Sequence, residues 1–354
     1  MFRGWVSAVA LVLVAPIWSG CLPRTPSELA RHETRLIEFG WDMPDPKFLR
    51  ANVHRMEELP FDGVVVNTGL HAQVFTRRSL PPTAIAEALE NLRATPFRRF
   101  TDNFLLVWVV PADLGWFEDW TPVFHNLRLV ARLAKAGGLR GIFLDTEQYT
   151  SPLFAYRKQR ERHARSFSEY AARARLQGWE VMRALAVEYP DLTIIVTLAY
   201  HAAEYDVAEE ADRSEAAYAL LPPFLDGLLE GAPETVTLVD GFEFSYGFRR
   251  EFEFVHGRWL MRHWAPRLSG LRDRHRPLMR VGYGLWLDYQ WRSRGWHPAE
   301  PGRNHFTPEG FAEALHLALR HTDRYVWVYT EQPNWWTGKN LSPAYRNALG
   351  AARR

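Results

Sequence analysis

Short apolar segments alternate with longer amphipathic segments eight times along the chain. The apolar segments have strand length and are bounded by turn residues, whereas the segments between them repeat apolar positions at helical spacing. The predicted strands are residues 36–41, 63–67, 104–110, 141–147, 192–200, 236–244, 278–286 and 325–331. The predicted helices are residues 45–59, 83–94, 121–136, 164–188, 213–229, 258–274, 308–321 and 343–351.

Several predicted strands are continuous apolar runs, such as Val64-Val65-Val66, which is typical of parallel strands buried on both faces. Eight strand–helix units in one domain predict an α/β fold of the (β/α)8 TIM-barrel type that spans residues 36–354. A doubly wound open sheet is the alternative. No G-x-G-x-x-G follows the first predicted strand, which argues against a dinucleotide-binding domain of that kind.

Residues 1–20 are typical of an export signal and are left out of the fold prediction. Arg3 supplies a positive charge near the start, and residues 6–17 are almost wholly apolar. This apolar stretch is shorter than a membrane-spanning helix requires.

The end of this segment, Ser19-Gly20-Cys21, resembles the bacterial lipobox, with Trp18 where that motif has an aliphatic residue. The resemblance implies cleavage before Cys21, lipidation of its sulfur, and a tether of residues 21–35. The mature protein would then be exported and lipid-anchored at the cell envelope, with a membrane as one partner. The alternative is an ordinary cleaved signal followed by a chance cysteine.

The composition restricts which kinds of protein and which partners fit the chain. The chain is 47% apolar, so it can bury a large core, and its one cysteine permits no intramolecular disulfide. The formal net charge is +2, and no basic run is interleaved with aromatic residues. We therefore expect no nucleic-acid partner.

Three predicted strands end in a glutamate: Glu147, Glu243 and Glu331. In a TIM barrel the active site lies at the carboxyl ends of the strands, so these side chains are expected to converge. Asp145 stands two residues before Glu147 and shares its strand face. Because two neighbouring carboxylates resist ionising together, one of them keeps a proton at higher pH, as acid/base chemistry requires. The alternative for any one of them is a structural ion pair with an arginine.

Other polar and aromatic residues fall at the same predicted rim, and Asp113 and Asp288 lie close to it. The candidate substrate-binding residues are Asp42, Asn67, Tyr200, His201, Tyr246, Tyr283, Trp286, Glu331, Trp335 and Trp336.

A barrel with strand-end carboxylates resembles the (β/α)8 glycoside hydrolase superfamily. The fourth predicted strand is similar to the family 18 chitinase motif D-G-x-D-x-D-x-E, which Gly141, Asp145 and Glu147 match. Arg140 and Phe143 stand where that family has aspartates. The resemblance implies that Glu147 is the catalytic proton donor and that Asp145 is its partner.

A second mechanism fits the same residues. Glu147 and Glu243 would flank a glycosidic bond, one protonating the leaving oxygen while the other attacks or activates water. Glu331 would bind sugar hydroxyls or replace Glu243 as the partner. The fifteen tryptophans of the chain offer flat faces for an oligo- or polysaccharide substrate, although core packing explains some of them.

Two further functions stay open: a carbohydrate-binding barrel without catalysis, and a metal-assisted hydrolase. The sequence contains no H-E-x-x-H and no cysteine cluster, so we expect neither a metal site nor a cofactor. It also has no G-x-S-x-G nucleophile motif and no G-x-x-x-x-G-K-[ST] phosphate loop.

Overall fold

The computed structural model describes residues 34–109, 114–204, 213–271, 273, 275 and 278–354. The predicted signal, Cys21, nearly all of the predicted tether and Asp113 lie outside these residues. Within the described ranges, no helix is long and apolar enough to cross a membrane.

The described residues contain one parallel sheet of nine strand segments. The segments are β1 Arg35–Gly40, β2 Gly63–Val66, β3 Phe104–Trp108, β4 Gly141–Asp145, β5 Thr193–Val196, β6 Thr237–Asp240, β7 Met279–Val281, β8 Tyr283–Trp286 and β9 Tyr325–Thr330. Pairing follows chain order from β1 to β7, and β1 also pairs with β9.

The sheet closes at the strand predicted at residues 278–286. Its first half, β7, pairs with β6, and its second half, β8, pairs with β9. Gly282 separates the two halves, and a Cβ atom there would lie 2.8 Å from the carbonyl oxygen of Asp240. Glycine therefore fits where the strand passes from one neighbour to the next. The predicted (β/α)8 barrel is confirmed.

Helices cover the outside of the barrel, and those of nine or more residues in the described part are Pro46–Met56, Ala86–Ala94, Thr121–Ala136, Phe167–Glu188, Leu221–Gly231, Glu251–Trp259, Pro308–His321 and Pro343–Ala352. Two predicted helices are displaced. The helix predicted at 213–229 begins at Leu221, where prolines suit the first turn. The helix predicted at 258–274 begins at Glu251, continues after Trp259 as the π-helical segment Leu260–Trp264, and ends in the 3-10 turn Ala265–Arg267.

Apolar side chains fill both sides of the barrel wall, which explains the continuous apolar strands. The outer layer packs the strands against the helices. The interior is formed by Ile37, Phe39, Val65, Phe104, Leu106, Phe143, Ile195, Val239, Tyr325 and Trp327. Phe143 lies 4.5 Å from Phe39 and 5.2 Å from Trp327, measured between ring centroids. An apolar floor thus lies directly below the carboxyl end of β4.

Candidate active site at the barrel mouth

Asp145 is the last residue of β4 and is almost completely buried. Its Oδ1 accepts hydrogen bonds from the backbone N–H of Glu147 at 2.9 Å and from Oγ1 of Thr197 at 3.1 Å. Its Oδ2 accepts a hydrogen bond from the Tyr149 hydroxyl at 2.7 Å. Burial above the apolar floor nevertheless raises the pKa of Asp145 to about 6.

Glu147 lies just beyond the strand and is half-buried. Burial raises the pKa of its carboxyl group, and the charge of Glu331 acts in the same direction. The Tyr149 hydroxyl and the Arg292 guanidinium oppose this rise. Glu147 is therefore a carboxyl group in an environment where charge is costly but partly compensated.

Glu243 has the stronger tendency to hold a proton. Burial, followed by the charges of Glu147 and Asp145, raises its pKa well above the ordinary value. A hydrogen bond with Tyr246 opposes this rise in pKa. The three carboxyl groups therefore lie close enough to repel one another. Sequence reasoning placed them at one rim, and the structure brings them together.

The route by which Glu243 reaches the mouth differs from the prediction. The strand predicted at 236–244 ends at Asp240, and Glu243 opens a single helical turn, Glu243–Ser245. Between them Phe242 adopts a left-handed conformation with φ of 47°, which costs a non-glycine residue about 1–2 kcal/mol. The Phe242 N–H donates to Oδ1 of Asp240 at 3.0 Å, which holds this turn.

Glu331 is held by its neighbours. Its Oε2 lies 2.7 Å from an Arg292 nitrogen and accepts a hydrogen bond from the Trp291 indole at 2.6 Å. Its Oε1 accepts a hydrogen bond from the Tyr329 hydroxyl at 3.1 Å. The side chain is 4% exposed, and these contacts tie Glu331 to the helix Trp291–Arg294 beside the mouth.

One aromatic wall of the mouth is built by Tyr246, Trp286 and Tyr329. The rings of Tyr246 and Tyr329 are stacked with centroids 5.5 Å apart, and Trp286 lies 5.5 Å from each of them. The Trp286 indole donates to Asp288, whose carboxylate also accepts the backbone N–H of Glu331. Tyr246 and Trp286 thus lie where the sequence predicted them.

A second aromatic wall lies beside Asp145. The Trp108 ring is 5.1 Å from that of Tyr149 and 4.3 Å from that of His71. Trp41 continues the inward face of Ile37 and Phe39; its side chain is 61% exposed, and the Arg292 guanidinium lies 5.8 Å from its ring. Flat faces therefore flank the carboxyl cluster on more than one side.

Three residues that were predicted to bind substrate do not line the mouth, so this predicted role is corrected. Tyr200 and Tyr283 are fully buried against the helices, where their hydroxyls donate to Asp226 and to the Phe254 carbonyl. His201 is also fully buried, with Nδ1 3.1 Å from Oδ2 of Asp240. For Tyr200 and His201 the reason is that β5 ends at Val196, so side-chain alternation no longer predicts direction beyond it.

Trp335 and Trp336 are likewise packing residues, contrary to the prediction. They lie against Phe61 in the layer between barrel and helices, with centroid distances of 5.5 and 6.0 Å. Asp42 holds this segment, because its carboxylate accepts the Trp335 N–H at 2.7 Å and the Thr330 hydroxyl at 2.9 Å. Asn67 stays at the rim, where its side-chain oxygen accepts the Gly69 N–H.

Four residues of the mouth were missed by sequence reasoning: Tyr149, Trp108, Trp41 and Arg292. Trp108 and Trp41 had a usable signal, since each stands on the inward alternation of its predicted strand. Tyr149 follows Asp145 by four residues in an irregular segment, and Arg292 belongs to a short helix in a long loop. Neither position follows from strand periodicity.

Across the described ranges, no three His, Cys, Asp or Glu side chains converge in a way that would hold a metal ion.

Comparison with known proteins gives similarity in fold at low sequence identity. No protein-family model matches the chain, and no curated protein sequence matches it. A GH5_18 structure from Streptomyces cattleya in complex with GlcNAc is 14% identical, covers 90% of this chain and 79% of its own, and has a TM-score of 0.49. An endocellulase from Pyrococcus horikoshii in complex with cellotetraose is 9% identical, with coverages of 91% and 93% and a TM-score of 0.47. A GH5-4 broad-specificity endoglucanase from an uncultured bacterium is 10% identical, with coverages of 92% and 95% and a TM-score of 0.46.

Proposed function

We propose that this protein is a glycoside hydrolase whose catalytic pair is Glu147 and Glu243. The observation that carries the proposal is the carboxyl cluster itself. Glu243 is driven to keep its proton by burial and by the charges of Glu147 and Asp145, at a barrel mouth flanked by aromatic rings. A protonated carboxyl group beside an ionised one is the arrangement that glycosidic bond cleavage uses.

The two environments favour different roles. The pKa of Glu243 is raised well above its usual value, whereas Arg292 and Tyr149 restrain the rise for Glu147. We therefore assign the proton of the pair to Glu243, which donates it to the leaving oxygen. Glu147 carries the negative charge that attacks the anomeric carbon or activates water. The similarity to the family 18 motif instead implies that Glu147 is the donor.

Asp145 acts as a positioning residue in this scheme. Its carboxylate holds the backbone N–H of Glu147 and the hydroxyl of Tyr149 at the same time. It therefore fixes the segment that carries one catalytic group and one aromatic ring of the mouth.

The substrate class follows from the lining. Trp41, Trp108 and Tyr149 present flat apolar faces with polar edges, which match the faces and hydroxyls of sugar rings. We infer an oligo- or polysaccharide substrate. From Ser19-Gly20-Cys21 we further infer a bacterial lipoprotein, exported and anchored at the cell envelope through lipidated Cys21.

A glycan panel tests the activity. Purified protein is incubated with polysaccharides of different linkage, and new reducing ends are measured. We expect product from at least one glycan, and none from the Glu147→Gln/Glu243→Gln double variant. Tight retention of a glycan without product by the wild-type protein would favour the non-catalytic binding barrel. Loss of product on chelation would favour the metal-assisted hydrolase.

The roles are separated with aryl glycosides of the sugar that the panel identifies. A dinitrophenolate leaving group departs without protonation, so a variant that lacks only the acid keeps turning it over. We expect Glu243→Gln to cleave the dinitrophenyl glycoside while losing roughly 10²–10⁴-fold on the natural linkage. Glu147→Gln should lose both activities. The opposite result would assign the proton donor to Glu147, and full activity in both variants would refute the pair.

A further inference from the structure

An apolar stripe is exposed on the outer face of the helix Glu251–Trp259. Phe252 is 63% exposed, Val255 is 50% exposed and Trp259 is 46% exposed. Their spacing of three and four residues places them on one side of the helix. The other side faces the barrel through Phe254 and Gly257, which are buried. The helix is therefore apolar on two faces, and only one of them is used by the fold.

The stripe is aromatic and ends in a cluster of rings. The Trp259 ring lies 6.1 Å from that of His256 and 6.2 Å from that of His263, measured between centroids. Tryptophan has an apolar body and a polar edge, and it is enriched where proteins meet the headgroup level of a bilayer.

The surrounding segment is strongly basic. Residues 249–280 contain nine arginines against three acidic residues, in a chain whose total formal charge is +2. Two of these arginines, Arg258 and Arg262, pair with Asp323. Arg249 and Arg250 are exposed at the start of the helix, and Arg267 is exposed beyond its end. An apolar stripe bordered by arginines matches a bilayer surface that carries anionic headgroups.

The same end of the molecule receives the chain from the predicted lipid anchor. The Arg35 N–H donates to the carbonyl oxygen of Arg324, so β1 begins beside residue 324. The neighbouring Asp323 pairs with Arg258, which directly precedes Trp259. Thirteen residues after Cys21 the chain reaches Thr34, and that length spans at most about 45 Å when extended. The tether therefore enters the barrel close to the end of the stripe.

We propose that Phe252, Val255 and Trp259 form a membrane-docking surface for an anionic lipid bilayer. The three side chains enter the headgroup region, and the flanking arginines face lipid phosphates. Because barrel helices run alongside the strands, docking through this helix places the side of the barrel against the bilayer. The mouth then opens along the bilayer surface. This inference goes beyond the proposed hydrolase activity and does not depend on it.

Vesicle flotation tests the surface without the anchor. The protein is the chain from residue 21 onward with Cys21→Ser, which contains every described residue and carries no lipid. The vesicles are phosphatidylcholine with or without phosphatidylglycerol. We expect binding to the anionic vesicles that weakens with added salt. The Phe252→Ser/Trp259→Ser variant should partition at least about tenfold less.

A matched control comes from the helix Phe167–Glu188, where Leu176 is 45% exposed and Val187 is 68% exposed. The Leu176→Ser/Val187→Ser variant should bind vesicles like the parent chain. Equal loss in both variants, or no binding of the parent chain to anionic vesicles, would overturn the proposal. So would a dimer in sedimentation that only Phe252→Ser/Trp259→Ser dissociates, because the stripe would then join two copies of this chain.

Discussion

The hydroxyl of Tyr149 donates a 2.7 Å hydrogen bond to Oδ2 of Asp145. Asp145 is buried above the apolar interior, whereas the Tyr149 side chain is 50% exposed at the mouth. Burial, followed by the charge of Asp145, raises the pKa of Tyr149, so its hydroxyl stays a donor at neutral pH. The bond therefore connects the barrel interior to the surface that a substrate would meet.

Removing this bond should lower activity without unfolding the protein. Asp145 also holds the backbone N–H of Glu147, so loss of this bond loosens the segment that carries Glu147, and Tyr149→Phe should reduce kcat/KM by roughly 10–100-fold. The pKa of Asp145 should also rise above about 6, since the Tyr149 hydroxyl lowers it. The measurement is kcat/KM against pH, with circular dichroism to check the fold. Tyr156→Phe is the control, because that hydroxyl donates to the backbone carbonyls of Arg162 and Arg165. Similar losses in both variants would contradict a role for the Tyr149 bond.

Arg292 should set the acidic limb of the pH profile. Its guanidinium favours the ionised form of Glu147, so Arg292→Met should raise the pKa of Glu147. If ionised Glu147 is required, activity should fall a few-fold near about pH 5 and change little near about pH 8. The guanidinium is 54% exposed, so high salt should reduce the difference. Arg294→Met, on the same short helix, is the control. A uniform loss at every pH would instead indicate that Arg292 acts only by anchoring Glu331.

Trp41 should contribute to substrate binding more than to the chemical step. Its ring is largely exposed at the mouth beside Arg292. Loss of one stacking face should raise KM by roughly 5–10-fold with kcat nearly unchanged, as expected when binding is lost equally from ground and transition states. The comparison is Trp41→Ala against Trp259→Ala, whose side chain is also exposed but lies outside the barrel. Unchanged KM in Trp41→Ala would remove Trp41 from the binding surface.

Strand periodicity predicted the barrel and the location of its carboxylates. An apolar run that ends in Asp145 has to place that residue at one rim, because parallel strands all end on the same side. The sequence also indicated that Glu243 is not a casual surface residue, since it stands between Phe242 and Phe244. It did not predict the left-handed turn at Phe242, which depends on a hydrogen bond from its N–H to Asp240.

Beyond the ends of the regular strands, the sequence did not predict which way a side chain points. Tyr200 follows β5 by four residues, and its hydroxyl turns outward to Asp226. Trp335 follows β9 by five residues and is buried under the helices. Tryptophan packs a core and stacks on sugars with the same surface, so residue type does not separate the two roles. The path of the loop decides whether such a tryptophan packs in the core or faces the mouth.

Glu38 should make the stability of the fold depend on pH. It shares the outward face of β1 with Leu36 and is fully buried. Burial, followed by the charge of Asp42, raises its pKa well above the ordinary 4.5. In the unfolded chain Glu38 ionises with its ordinary pKa of about 4.5. Protonated Glu38 therefore makes its full contribution to stability below about pH 4.5, and this contribution is lost as the pH rises towards the folded-state pKa.

Glu38→Gln has no proton to lose, so its free energy of unfolding should fall less steeply above about pH 4.5. The wild-type chain should lose up to about 1.4 kcal/mol more per pH unit in that window. Urea unfolding at a series of pH values measures both slopes. Glu58→Gln is the control, because Glu58 is an exposed carboxylate just after the helix Pro46–Met56. The pH dependence of its free energy of unfolding should parallel that of the wild type. If the free energies of unfolding of the wild type and of Glu38→Gln change in parallel with pH, Glu38 is ionised in the folded state. Asp42, which holds the Trp335 N–H, would then tolerate a second negative charge beside it.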